Sequence, residues 1–334
     1  MSDPAGIFEA HVPRPLGEVR EAEVFAPANI ALSKYWGKRD KALNLPMNSS
    51  VSVSLGRLGT RTRVAPADAD LLSFNGDVLA AGDPAAAKVW RFVDLFCGAG
   101  RPALAIETEN TVPTAAGLAS SASGFAALVM ALDAAFACGL PKATLSMLAR
   151  FGSGSATRSL WPGFVRWDVG QAEDGTDSHA RPVAAEMPGF RVGVVLVDGG
   201  PKAMSSSEGM THTVETSPLY AEWPGAAEAD CGAIEGRLRE GDFAGMGALA
   251  EANALAMHAT MIAARPAVCY LKAGSLEVLE RLWAARRDGL QAYATMDAGP
   301  NVKLLFEEAG LADVLAVFPG AEVIDPFEAP LIAP

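Results

Sequence analysis

The sequence predicts an α+β chain in two parts, and three observations carry that reading. Its 334 residues exceed the usual size of a single hydrophobic core. Short extended segments with alternating apolar residues stand beside long helical stretches. The pattern then restarts near residue 190 with the buried-strand run Arg191-Val-Gly-Val-Val-Leu-Val-Asp198. Together these divide the chain into an N-terminal arm over 1–20, a first domain over 21–190 and a second over 191–334.

Taken in order, residues 1–20 hold Pro4, Pro13 and Pro15 among mixed charges and read as an arm or edge segment. Alternation before Pro27 gives a strand, and Asn44-Leu-Pro-Met-Asn-Ser-Ser-Val-Ser-Val-Ser-Leu55 alternates Ser with Val, the period of a half-buried strand. Further strands are expected near 59–65, 70–74 and 103–109, with a helix over 84–97. Pro113 ends an extended segment, Gly117 permits a turn, and Ser120 and Ser121 suit the cap of a helix over about 121–137. Gly139-Leu-Pro141 stops that helix, and a second runs from about Lys142 to Arg150. A strand over 163–168 and a turn over 173–178 follow. In the second part, helices are expected at about 226–240, 242–263 and 274–287, then a strand over 290–296 and a last helix from about Val302.

Composition excludes several function classes. Half the residues are hydrophobic and a fifth are charged, as in a globular protein with a substantial core. A net charge of −12 argues against nucleic acid or an anionic membrane as the main partner, and makes any local basic cluster informative. Cys97, Cys138, Cys231 and Cys269 lie far apart with no Cys-x-x-Cys, so neither a zinc motif nor a disulfide framework is expected. The start, Met-Ser-Asp-Pro-Ala-Gly, lacks the basic and apolar regions of a signal peptide. The most apolar helix, near 124–137, contains Asp133 and is too short for a bilayer, so a cytoplasmic protein is expected.

Three hydroxyl- and glycine-rich segments point to an anionic ligand. In Asn110-Thr-Val-Pro-Thr-Ala-Ala-Gly-Leu-Ala-Ser-Ser-Ala-Ser-Gly124, a glycine turn feeds a serine-rich helix start, which offers free N–H groups, hydroxyls and the positive end of a dipole. No Gly-Lys-Ser/Thr closes it, so it is not a Walker A loop, and an ordinary capped helix packed by small residues explains it equally well. Phe151-Gly-Ser-Gly-Ser-Ala-Thr-Arg-Ser159 adds backbone N–H groups, Ser153, Ser155 and the guanidinium of Arg158. Its plainer reading is a flexible connection. Lys202-Ala-Met-Ser-Ser-Ser-Glu-Gly-Met210 is the third.

Lys34, Lys38, Arg39 and Lys41 fall within eight residues, interleaved with Tyr35, Trp36 and Gly37. A solvated charge run has little use for a tryptophan, so a phosphate-facing segment is the better reading. Asp297 stands where a strand meets a Gly-Pro turn. That position suits either a presented catalytic carboxylate or an Asx-turn. His258 lies on a helix with small apolar residues around most of its circumference and reads as a core histidine. The common denominator is phosphoryl transfer from a nucleotide to a second anionic ligand, a chemistry of positioning and charge neutralisation.

Pro113-Thr-Ala-Ala-Gly-Leu-Ala-Ser-Ser121 resembles the phosphate loop of the GHMP small-molecule kinases. Ala26-Pro-Ala-Asn-Ile-Ala, Lys34-Tyr-Trp-Gly-Lys-Arg-Asp40, Asn44-Leu-Pro-Met-Asn-Ser-Ser50, Gly152-Ser-Gly-Ser-Ala-Thr-Arg-Ser159 and Met296-Asp-Ala-Gly-Pro-Asn301 resemble one branch of them, the diphosphomevalonate decarboxylases. The resemblance runs from about Val24 to Phe306.

That resemblance implies the two-domain GHMP kinase-like α+β fold, with the active site in the interdomain cleft. It implies ATP and magnesium as cofactors, a phosphorylated mevalonate as substrate, and a homodimer. Asp297, Lys34 and Arg158 are the implied catalytic residues: Asp297 on the substrate 3-hydroxyl, Lys34 supporting its charge, Arg158 on the substrate carboxylate. Tyr35, Lys38, Ser153 and Ser155 would join Arg158 in binding substrate. Gly117, Ala119, Ser120, Ser121 and Ser206 would bind the nucleotide phosphates, and no protein metal ligands are expected. Ser207 stands where typical members carry Thr or Arg. A 5-phosphomevalonate decarboxylase, or a kinase that phosphorylates the 3-hydroxyl without decarboxylation, is therefore the alternative.

Overall fold

A computed structural model of the chain describes residues 3–80, 82–111, 120–200 and 202–329. The chain opens with α1 (Pro4–His11), then β1 (Ala22–Ala31), β2 (Lys38–Asp40), β3 (Leu45–Pro46), β4 (Ser50–Pro66), β5 (Leu71–Phe74) and β6 (Asp77–Val78). It continues through α2 (Pro84–Cys97), β7 (Leu104–Asn110), α3 (Ser120–Ala135), α4 (Lys142–Gly152), β8 (Phe164–Trp167) and β9 (Ala180–Pro182). After β10 (Phe190–Val195) come α5 (Ser206–Thr216), α6 (Trp223–Glu240), α7 (Phe243–Ile262) and α8 (Ala273–Arg287). β11 (Ala292–Thr295), β12 (Val302–Glu307), α9 (Leu311–Val317) and β13 (Glu322–Ile324) complete it. This is the expected α+β architecture.

The 17-residue β4 organises the first sheet. One of its edges pairs with β1, while the other is shared between β8 (Ser50–Val53) and β7 (Thr60–Pro66), all antiparallel. The β1–β4 register shifts between Pro27 and Asn29, where proline has no N–H to offer the ladder. A Cβ on Gly59, opposite Pro27, would lie 2.1 Å from the Ala26 carbonyl oxygen, so only glycine permits this pairing. α3 packs across β1 and β4, and its apolar residues from Ala126 to Ala135 build the first core with Phe92, Phe96 and Leu148.

The second sheet runs β11-β12-β10-β13 and is antiparallel throughout. The two sheets do not keep separate interiors. Ile30, Leu32, Val51 and Val53 of the first pack into one cluster with Val192, Val194, Ile234 and Met246 of the second part. Each such side chain contributes about 1.5–3 kcal/mol on burial, so the seam between the halves is as well packed as either half. A cleft at that seam therefore sits on rigid walls.

Three expectations are corrected. The N-terminal arm contains a helix, begun by the Asp3 side chain accepting from Gly6 N–H, with Pro4 in its first turn. Its Ile7 and Phe8 are buried, and the Phe8 ring stands edge-on to Phe92 and Phe96. The expected last helix at Val302 is instead β12, the second strand of the sheet, with the helix delayed to Leu311. Its run Val-Lys-Leu-Leu-Phe is buried on both faces, so no alternation marks it as a strand. α5 was not expected at all, although Ser205 and Glu208 form a reciprocal capping box that announces it.

Phe8→Ala should lower stability by about 3–5 kcal/mol, as for other buried aromatic truncations. A chemical denaturation midpoint equal to that of the parent protein would show that α1 is not part of the core.

Candidate active site

The cleft at the seam encloses about 350 Å³ and is lined from both halves, by Asn29, Lys34, Tyr35, Lys38 and Lys88 on one side of the chain order and Ser206, Ser207 and Asp297 on the other. Lys34 follows β1 and is fixed at every polar atom. Its backbone N–H donates to Asn253 Oδ1 at 2.7 Å, and its carbonyl accepts from Asn48 Nδ2 at 2.8 Å. Its Nζ donates to the Ala31 carbonyl and to Asp297 Oδ1, each at 2.8 Å. Asp297 lies just beyond β11, and its Oδ2 is 3.7 Å from Lys303 Nζ.

This pair is asymmetric. The Lys34 side chain is 2% exposed and that of Asp297 39%, so the ammonium is sunk in protein while the carboxylate faces the cleft. Burial alone pushes the Asp297 carboxyl up. The charges of Lys34 and Lys303, the Lys34 hydrogen bond and the charge of Lys202 outweigh it and hold the group well below the usual carboxylate range. Burial pulls Lys34 down, and Asp297 opposes that. His258 is buried beside them, and burial with the charges of Lys34 and Lys303 depresses its imidazole to about 4, so the ring is neutral near pH 7. The Asp297 backbone and carboxylate oppose that depression. Nε2 of His258 has no partner among the described residues, so the ring is less fully satisfied than the expected core histidine.

α4 ends at Gly152, and a 3-10 turn over Gly154–Arg158 swings Arg158 under the cleft. Arg158 donates to Ser50 Oγ at 2.7 Å and to Asn29 Oδ1 at 3.3 Å. It is 2% exposed, and its Nε has no partner among the described residues. Burial lowers its guanidinium to about 10, which still leaves it cationic. Among the described residues no carboxylate forms an ion pair with it. A buried cation in that condition is an incomplete site that a carboxylate or phosphate completes. Tyr35 is in the same state: its buried hydroxyl has no partner among the described residues, and burial pushes the phenol up. Its ring stands 4.8 Å from that of Trp167. A Cβ at Gly154 would come within 2.8 Å of the Tyr35 ring, so the Gly-Ser-Gly-Ser pattern lets the turn approach the tyrosine.

At the outer end, Lys38 donates to Ser207 Oγ at 3.3 Å. Ser153 and Ser155 hydroxyls are 3.2 Å apart, and Ser121 Oγ is 3.4 Å from Ser153 Oγ. Ser206 lines the wall from the first turn of α5. Ser120 is the first residue of α3, while Gly117 and Ala119 lie outside the described residues. The basic run divides: Lys34 and Lys38 line the cleft, whereas Arg39 reaches carbonyls of Val169, Gly170 and Ala172, and Lys41 pairs with exposed Glu215 at 2.9 Å. Lys88 on α2 was missed, since nothing in the sequence separates it from a solvated lysine on an amphipathic helix. Asn29 was also missed, although its Ala-Pro-Ala-Asn context was visible.

The chain matches the diphosphomevalonate decarboxylase-like N-terminal domain over residues 26–180 and the mevalonate 5-diphosphate decarboxylase C-terminal domain over 192–325. The diphosphomevalonate decarboxylase of Candida albicans is 36% identical to it, over 89% of this chain and 87% of that protein. The chain belongs to the diphosphomevalonate decarboxylase family. The crystal structure of mevalonate diphosphate decarboxylase from Staphylococcus aureus superposes with a TM-score of 0.87 at 34% identity, covering 93% of this chain and 97% of that one. A further structure, of MDDEF in complex with MVAPP, AMPPCP and magnesium, gives 0.85 at 37% identity, covering 92% and 97%.

Lys34→Gln removes the largest of the charges that depress Asp297. The carboxyl should then titrate at higher pH in carbon-13 NMR, its signal assigned by comparison with Asp297→Asn. An unmoved titration would assign the depression to Lys303 and Lys202 instead.

Proposed function

We propose that the chain catalyses the ATP-dependent decarboxylation of (R)-5-diphosphomevalonate to isopentenyl diphosphate, with release of ADP, phosphate and carbon dioxide. The observation that carries this reading is a single cleft holding the Lys34–Asp297 pair together with the unpaired Arg158. The family and the ligands recorded for its solved neighbour support the same chemistry.

The residues divide the work by position. Asp297 accepts a hydrogen bond from the substrate 3-hydroxyl and aligns its oxygen for attack on the γ-phosphorus of ATP. A carboxylate held so far below its usual range does not store a proton at neutral pH, so it orients and polarises the hydroxyl, whose proton passes to an oxygen of the transferred phosphoryl group and later leaves with the departing phosphate. ADP leaves with the electrons of the broken P–O bond. The C3–O bond of the 3-phosphate then breaks and phosphate departs with its electron pair. Positive charge develops at C3, the C–C bond to the carboxylate supplies the electrons of the new double bond, and carbon dioxide leaves. Arg158 holds that carboxylate with two N–H groups in one plane until it departs. No redox or carbonyl cofactor is needed, because the departing phosphate creates the electron demand.

Lys38 and Lys88 share the outer end of the cleft with Ser153 and Ser155. Burial lowers Lys38, and repulsion from Lys88 and Lys41 adds to it, so this end is suited to more than one phosphate. The nucleotide phosphates fall to Gly117, Ala119, Ser120 and Ser121, with Ser206 from the facing helix. Magnesium takes about six oxygens and keeps phosphates and waters among them. The described residues hold no group of three His, Cys, Asp or Glu suited to a metal, so the ion would arrive on the nucleotide and neutralise its charge. The same reading divides the chain near residue 190 into a nucleotide-binding part and a C-terminal part. It also makes the protein a cytoplasmic homodimer, which sedimentation and cell fractionation test.

A paired assay with ATP and magnesium, offering 5-diphosphomevalonate or 5-phosphomevalonate, follows ADP and carbon dioxide together. Equal release of both from the diphosphate is the expected result. Preference for the monophosphate would change the substrate and point to Ser207, and ADP without carbon dioxide would reduce the protein to a kinase. Asp297→Asn should lose about 10²-fold or more in turnover while still binding ATP, the cost of a reacting hydroxyl that is no longer aligned. Arg158→Lys should lose carbon dioxide release even where ADP forms, because a point charge does not reproduce the fork. Retained decarboxylation would remove Arg158 from the carboxylate.

A further inference from the structure

Two of the buried polar side chains of α7 touch the backbone of Lys34 or of the strand leading to Asp297. Glu251 Oε2 accepts from Ala294 N–H at 2.7 Å, three residues before Asp297. Asn253 Oδ1 accepts from Lys34 N–H at 2.7 Å. Lys34 and Asp297 are distant in sequence and come from different sheets, so their 2.8 Å contact needs a common reference. A single rigid helix touching both supplies one.

We propose that Asn253 is a positioning residue of the reaction, with Asp230 of α6 setting the orientation of its amide and Lys34 placed against Asp297 in consequence. The amide admits one orientation. Asn253 Nδ2 donates to Asp230 Oδ2 at 2.9 Å, and a carboxylate only accepts, so Oδ1 is left to face the Lys34 N–H. Asn253 is fully buried, and removing its oxygen leaves that N–H without a partner in a dry setting. The backbone of Lys34 is then free to shift, while Nζ keeps only the Ala31 carbonyl as a local tether. The relay runs Asp230, Asn253, Lys34, Asp297, and neither of its first two members lines the cleft.

The inference rests on the decarboxylase reading for its kinetic consequence but not for its structural one, and two measurements separate them. In turnover, Asn253→Ala should lower kcat by about 10–100-fold, the cost of a small misplacement of reacting groups. KM for both substrates should stay within about twofold of the parent value. Asp230→Leu, at a part-exposed helix position, should lower kcat in the same manner with the fold intact, and Asp230→Asn should recover most of it because an amide oxygen still accepts from Asn253. In the free protein, without any substrate, the Asp297 carboxyl is followed by carbon-13 NMR. It is faced by Lys34, Lys303, Lys202, Arg158 and neutral His258, and in Asn253→Ala and Asp230→Leu it should titrate at higher pH as Lys34 withdraws. An unmoved titration in both variants overturns the positioning role whatever the activity proves to be. So does a kcat within twofold of the parent in folded Asn253→Ala. A shifted titration in a protein that releases no carbon dioxide would keep this inference and overturn the proposed function.

Discussion

The protein has removed Lys34 from water, which pulls its ammonium down, and the Asp297 carboxylate opposes that pull. An isolated buried ammonium would shed its proton, and an isolated carboxylate in the same place would take one up. Held at 2.8 Å, each favours the charged form of the other, and Lys303 and Lys202 tilt the balance further toward the anion. The pair is an expensive construction, since desolvation of both ions is offset only by good geometry. What it secures is an ionised acceptor that faces the cleft and cannot be neutralised near pH 7. Asn253, Asn48, the Ala31 carbonyl and α7 behind them all serve that geometry.

This constraint explains why the two sheets share an interior. Lys34 follows the last residues of β1 and Asp297 follows β11, so any sliding of one sheet on the other would open the contact. The mixed cluster around Ile30, Val53, Val192 and Met246 prevents it, because close-packed side chains tolerate few displacements. A second brace lies nearby: Arg166 on β8 reaches Glu228 and Glu235 of α6 at 3.0 Å each, and Glu228 also accepts from Ser49 N–H. Ser49 precedes Ser50, the partner of Arg158. Arg158 and the ion pair are thus tied to one helix frame, although they come from separate loops.

Much of this was legible in the chain. The strand at Ser50–Leu55, the starts of α3 and α4 and the two loops at Ser153 and Asp297 lie where period, helix-stop and turn signals place them, but Ser50–Leu55 is buried on both faces rather than half-buried, and α4 begins without a side-chain cap. The misses share a different cause. β12 has no alternation because both faces are covered, a tertiary fact. α1 was obscured by Pro13 and Pro15, though Asp3 and Pro4 mark its start. Lys88 is an ordinary helix lysine until α2 is laid beside the cleft. The basic run divided into two cleft residues and two structural ones because Arg39 found carbonyls on a distant turn, which no local pattern encodes. Lys34, Arg158 and Asp297 are legible singly, and their convergence is a property of the fold.

Several buried polar groups near the cleft have no partner among the described residues. Among them are Arg158 Nε, the Tyr35 hydroxyl and His258 Nε2, and such groups cost roughly 1–3 kcal/mol each. Two of the three, Arg158 and Tyr35, line the cleft, and both present the donor that an anionic substrate lacks. On the proposed reading, an anion entering the cleft would satisfy Arg158 and Tyr35 together, and in a molecule with a net charge of −12 the few cations that face inward are the groups placed to attract it.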